Sequence, residues 1–85
     1  MDRDDRIKIR AFVESLLAEH DDRAPFGDDD PLVNTGRLDS FAVVKLVMFL
    51  ETEYGVDFSR IEFDPQRLDS VSGIAGVIAE WRSLV

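Results

Sequence analysis

The chain has 85 residues, 45% of them hydrophobic, and its 18 carboxylates against 10 Lys plus Arg give a formal charge of −8. That length suffices for a single domain, residues 1–85, with enough apolar residues to fold; the acidic balance disfavours nucleic acid and anionic membrane and favours partners with basic patches. With no Cys and one His, His20, disulfides, thiolate metal sites and Cys nucleophiles are excluded, and neither a His-based triad nor a multi-His metal site is expected.

From about Asp4 to Glu19 the pattern is helical, with Ile9, Phe12, Val13, Leu16 and Leu17 at three- and four-residue spacing among charged positions. His20 through Leu38 reads as a loop. It carries Pro25, Gly27, Pro31, Asn34 and Gly36, and six aspartates if Asp39 is included. Phe26, Leu32 and Val33 are expected to pin it to the core. A connection of 19 residues is long for so small a domain, and long loops in compact domains are often functional. A second helix is expected over Ser40–Tyr54, with Asp39 or Ser40 as its N-cap and Gly55 as its stop. The segment VDFSRIEFDP could form a short strand or a turn of helix, and the expectation is a short helix near Ser59–Phe63 ended by Pro65. A last helix follows from Ser70 or Val71 to Leu84, with Val71, Ile74, Ala75, Ile78 and Trp81 on its apolar face. Three main helices and one short one, with a long loop between the first two, predict an all-α fold, a small antiparallel bundle. No apolar run reaches the ~20 residues of a membrane span, and the opening MDRDDRIKIR is too charged for a signal peptide. A cytoplasmic monomer is therefore expected.

The second helix is apolar on two sides. At about 100° per residue, Val43, Leu46, Val47, Leu50 and Tyr54 form the expected core stripe. Phe41, Val44 and Met48 fall roughly opposite, beside Lys45 and Thr52, with Glu51 adding acidity further along. The helix could be central and buried on both faces. The reading preferred here is an exposed docking patch of Phe41, Val44, Lys45, Met48 and Glu51, to which Met brings adaptability.

The segment GRLDSFAVVKLVMFLETEYGVDF resembles the signature of acyl carrier proteins and their peptidyl and aminoacyl relatives. In that family an Asp-Ser pair ends a long loop and opens the second helix, and a Leu-Val-x-x-Leu-Glu-x-x-Phe/Tyr-Gly run follows. Here the pair is Asp39-Ser40, and the run is Leu46-Val47, Leu50-Glu51 and Tyr54-Gly55. The likeness extends to DDDPLVNTG upstream and FDPQRLDSVSGIAGVI downstream. The resemblance implies that Ser40 carries a 4′-phosphopantetheine arm taken from coenzyme A, whose terminal thiol holds cargo as a thioester. It implies that Asp39 serves recognition by the phosphopantetheinyl transferase. It also implies a non-catalytic carrier served by an acyl- or aminoacyl-loading ligase or transferase and by downstream acyl-processing enzymes. A hydroxyl and a phosphodiester both suit a helix N-terminus, where the dipole favours negative charge. Many fatty-acid carriers are acidic just after the serine, whereas this chain has Ala42 and Lys45. That departure points toward discrete carriers of specialised pathways, which load amino acids, D-alanine, glycerate-derived units or unusual acyl groups.

The tripeptide Leu-Asp-Ser occurs twice, at Leu38–Ser40 and at Leu68–Ser70. The second copy lacks the acidic loop and the outward apolar patch, and Ser70 is expected to be a plain helix cap. The run DDDPLVNTGRLD fails as a calcium loop, because Leu32 stands at a ligand position and Val33 where the glycine belongs. His20 is expected at the surface near a helix C-terminus and Trp81 in the core. The competing reading of the whole chain is an acidic helical protein-interaction module that is never modified.

Overall fold

The computed structural model describes residues 3–85. Among these lie three α-helices, α1 (Arg3–Ala18), α2 (Ser40–Tyr54) and α3 (Val71–Leu84), one 3-10 turn, η1 (Pro65–Leu68), and no strand. The fold is all-helical, with α1 packed on α3, and η1 packed on α3 and α2.

Helix α1 buries Ile9, Val13, Leu16 and Leu17, the residues its periodicity selects. Phe12 is half-buried and stacks on Phe49 of α2, with ring centroids 4.3 Å apart. The chain turns out of α1 at Asp21, which adopts φ 57°. The Asp21 amide donates to the Ala18 carbonyl and the Asp22 amide to the Leu17 carbonyl, both at 3.0 Å. This pair of bonds is the Schellman closure, with an aspartate where glycine is usual.

Helix α2 ends at Gly55, whose φ of 66° is the left-handed conformation that a side chain disfavours. Its buried face is Ala42, Leu46 and Leu50. The wheel placed Val43, Val47 and Tyr54 in the core as well, but they are half-buried. The small Ala42 side chain turns inward, and Val43 and Val47 instead border a groove with Phe58 and Phe63.

The short helix expected at Ser59–Phe63 is absent. Residues 58–60 form a single turn, in which the Asp57 carboxylate accepts from the Ser59 amide at 2.9 Å and the Ser59 hydroxyl at 2.6 Å. Helical structure comes later, at Pro65–Leu68. Asp64 caps it by accepting from the Gln66 amide, and Pro65 occupies the first turn, where it has no amide to lose. Proline starts the element here; the sequence reading had it ending one.

Helix α3 buries Val71, Ile74, Val77 and Ile78. Val77 was not anticipated. Ala75 and Trp81, expected on the buried face, are half-buried, and the Arg60 guanidinium lies 5.5 Å from the Trp81 ring centre. Gly73 allows α3 to touch η1, since a Cβ there would lie 2.2 Å from the Arg67 carbonyl oxygen. Loop and turn residues Phe26, Leu32, Leu38, Val56, Ile61 and Leu68 complete the core. At one end of the molecule, Arg82 of α3 pairs with Asp5 of α1, a buried carboxylate. No helix among the described residues is long and apolar enough to cross a membrane.

Candidate functional site

The two Leu-Asp-Ser copies use their polar residues differently. At the second copy Ser70 is the N-cap of α3, and its Oγ accepts from the Gly73 amide at 3.1 Å. At the first copy the cap is Asp39, whose Oδ1 accepts from the Ala42 amide at 2.9 Å. The helix therefore begins one residue earlier relative to the tripeptide. Ser40 becomes its first helical residue, exposed and released from capping. Among the described residues its hydroxyl has no hydrogen-bond partner. The second Asp39 oxygen faces His20 Nε2 at 3.6 Å, which places His20 at the surface beside the start of α2.

The loop leading to Ser40 is held by its own aspartates. Asp22 takes a two-pronged contact from Arg37, at 2.8 and 3.1 Å, and Arg37 also donates to the Ala24 carbonyl at 2.7 Å. These hydrogen bonds from Arg37, and next the Ala24 amide, hold the Asp22 carboxyl below its ordinary range. Asp28 pairs with Arg6 and Arg10, and Arg10 reaches on to the Phe26 carbonyl. Asp69 binds the loop from the far side through the amides of Leu32, Val33 and Asn34. Phe26, Leu32 and Leu38 are buried as anchors, while Val33 is only half-buried. Gly36, at φ 79°, closes a turn in which its amide donates to the Val33 carbonyl. Sequence reading counted these aspartates as acidity and missed their structural roles. The repeated tripeptide was the one signal that could have singled out Asp69.

On α2, the residues assigned to the outward face are where the wheel placed them. Phe41 is 76%, Val44 57% and Met48 59% exposed. Ser40, Val44, Val47 and Glu51 follow at spacings of four, three and four, which places them on one stripe of the helix. Val43, Val44, Val47, Met48, Phe58 and Phe63 line a shallow apolar groove beside that stripe, with Glu51 at its edge. Phe58 and Phe63, which meet edge to face at 5.7 Å, were not foreseen as part of this surface. Lys45 is not a free cation, because its ammonium pairs with Glu19 at 2.9 Å. Among the described residues no group of His, Cys, Asp and Glu is placed to hold a metal ion.

No family model matches the chain, and none of the curated proteins or solved structures compared with it matches. The likeness to carrier proteins therefore rests on the residues quoted above.

Proposed function

We propose that the protein is a discrete acyl or aminoacyl carrier, a small antiparallel helical bundle in the cytoplasm that bears a 4′-phosphopantetheine arm on Ser40. The observation that carries this reading is the division of labour between the two Leu-Asp-Ser copies. Each helix needs one cap, and at α2 the aspartate supplies it, leaving the Ser40 hydroxyl exposed at a helix N-terminus and without a partner among the described residues. A phosphodiester formed on that oxygen would meet the positive end of the α2 dipole and the unpaired amides of the first turn. The reaction needs no catalytic group from this chain. A phosphopantetheinyl transferase would move the phosphopantetheine of coenzyme A to the Ser40 oxygen, breaking the pyrophosphate bond, releasing adenosine 3′,5′-bisphosphate and taking up the Ser40 proton, and the thiol at the arm's end would bear the cargo.

The exposed Phe41, Val44 and Met48, flanked by Lys45 and Glu51, are the docking face in this reading. A tethered thioester is present at high effective concentration at whichever enzyme binds there. The same face supports the second reading, an unmodified acidic interaction module, because it needs an exposed apolar patch and no serine chemistry.

The two readings separate by intact mass after incubation with coenzyme A and a broad-specificity phosphopantetheinyl transferase. The carrier reading expects one added phosphopantetheine on the wild type and on Ser70→Ala, and none on Ser40→Ala. An unchanged mass with several transferases would sink it in favour of the interaction module.

A further inference from the structure

Asp69, in the second Leu-Asp-Ser copy, is the most heavily used carboxylate outside the ion pairs among the described residues. Its Oδ1 accepts from the amides of Leu32 at 3.1 Å, Val33 at 2.6 Å and Asn34 at 2.9 Å. Its Oδ2 accepts from the Asn34 side-chain amide at 2.8 Å, and its backbone carbonyl accepts from Leu32 at 2.7 Å. These residues are far apart in sequence, so the contacts fix a long loop against the start of α3. The consequence travels onward along the chain. Leu32, held by Asp69, accepts from the Leu38 amide at 2.9 Å through its own carbonyl, and Gly36 closes on Val33. Residues 32–38 are thus a closed turn with one end on Asp69 and the other end immediately before Asp39-Ser40. Leu32 and Leu38 are both buried, so the turn is also nailed to the core.

We infer that Asp69 is the positioning residue for Ser40, through the turn 32–38 that leads to it. This rests on the reading of Ser40 as the modified residue and adds to it. Ser70 caps its own helix, while the aspartate one position earlier orders the approach to the other serine. Three amide donors on one carboxylate oxygen are charge-assisted bonds, stronger than neutral ones. A neutral side chain at position 69 would hold the turn less well. A loosened turn lets Ser40 sample orientations that a transferase must select against, which raises KM more than it lowers kcat.

The test compares Asp69→Ala and the milder Asp69→Asn with Ile78→Val, a core change on α3 two turns beyond its first residue that sets the effect of lowered stability alone. Two readouts are taken well below the thermal midpoint of each variant. The first is hydrogen exchange at the Leu38 amide, which does not touch Asp69. It should speed up roughly tenfold or more in Asp69→Ala, less in Asp69→Asn, and not selectively in Ile78→Val. The second is transferase kinetics with coenzyme A, where KM should rise about tenfold in Asp69→Ala with kcat little changed. A Leu38 amide as protected in Asp69→Ala as in the wild type overturns the inference. So does a KM that moves equally in Ile78→Val. Failure of the wild type to be modified at all defeats the carrier reading instead, and Leu38 exchange then decides the role of Asp69 by itself. Should Asp69→Ala not fold, Asp69→Asn carries both readouts.

Discussion

The choice of capping residue decides what each serine is free to do, and that choice is measurable. Ser70 satisfies an otherwise unpaired amide of α3, so Ser70→Ala should cost about 1 kcal/mol of stability. Asp39 does the same for α2, and Asp39→Ala should cost a similar amount. Ser40→Ala should stay within roughly 0.5 kcal/mol of wild type, because the hydroxyl it removes is exposed and unbonded. Urea unfolding of the three variants checks the pattern, and a Ser40→Ala loss equal to that of Ser70→Ala would return Ser40 to the role of an ordinary cap. Tyr54 is a second residue with a distinctive environment. Its hydroxyl is buried and, among the described residues, makes no hydrogen bond of standard geometry, with Asp5 the carboxylate near it; the Arg82 guanidinium lies 5.7 Å from the ring centre. Burial, and next the Asp5 carboxylate through its charge and as an acceptor for the phenol proton, pushes the phenol up to about 12 from 10.0. A raised folded-state value means the folded chain holds the proton more tightly. The associated stability is complete below about pH 10 and is lost as pH rises through about 12. The chain has one tyrosine, so an alkaline absorbance titration reads this group directly, and a midpoint near 10 would show the ring to be solvated.

At the scale of elements, the two glycines of α3 are opposites, although both look like weak points in a helix. A Cβ on Gly73 would lie 2.2 Å from the Arg67 carbonyl, and backbone of η1 cannot yield as a side-chain tip does. Gly76 has only the end of the Arg67 guanidinium within 4 Å, at 3.8 Å. Gly73→Ala should therefore cost several kcal/mol, roughly 2 or more, by forcing η1 off α3. Gly76→Ala should gain about 0.5–1 kcal/mol from helix propensity. Thermal melts of both decide it, and a harmless Gly73→Ala would mean that η1 does not sit against α3 as described. Helices α1, α2 and α3 were legible because their apolar spacing and their end residues agree: Gly55 stops α2 where local signals place it, and Asp39 is one of the two caps, with Ser40, that they allow. The element after α2 was not legible, because Asp57 draws Ser59 into a closed turn and Asp64-Pro65 then offers a better start. Both devices are side-chain capping choices with no periodic signature. Val77 and Ala42 were missed for a different cause: which edge of an apolar stripe is deepest depends on where the neighbouring helices lie. The exposed side of α2 was legible because Phe41, Val44 and Met48 sit opposite Leu46 and Leu50. The clamps on the loop were not, since Asp69 and residues 32–34 meet only after folding.

For the whole molecule, the question is whether its charges hold it together or push it apart. The ion pairs of Arg37 with Asp22, of Arg6 and Arg10 with Asp28, of Lys45 with Glu19, of Arg67 with Glu80 and of Arg82 with Asp5 favour the folded state. Exposed or half-exposed pairs of this kind contribute about 0–1 kcal/mol each and weaken with salt. Against them stands the net charge of −8. Spread over a sphere of about 15 Å radius in water, such a charge has a self-energy of about 9 kcal/mol without salt, and roughly half as much over an expanded chain. Folding therefore works against a repulsion of about 4 kcal/mol at vanishing ionic strength, set against roughly 3 kcal/mol from these six pairs at the middle of their range. Salt at 0.1 M shortens the screening length to about 10 Å, comparable with the molecule's radius of gyration of 12.1 Å, and removes much of that repulsion. The midpoint of thermal unfolding should accordingly rise between about 10 mM and 0.5 M sodium chloride, and rise less in a variant with two exposed carboxylates neutralised, such as Asp29→Asn with Glu62→Gln. A midpoint that falls over the same range would show that the loop clamps outweigh the net charge.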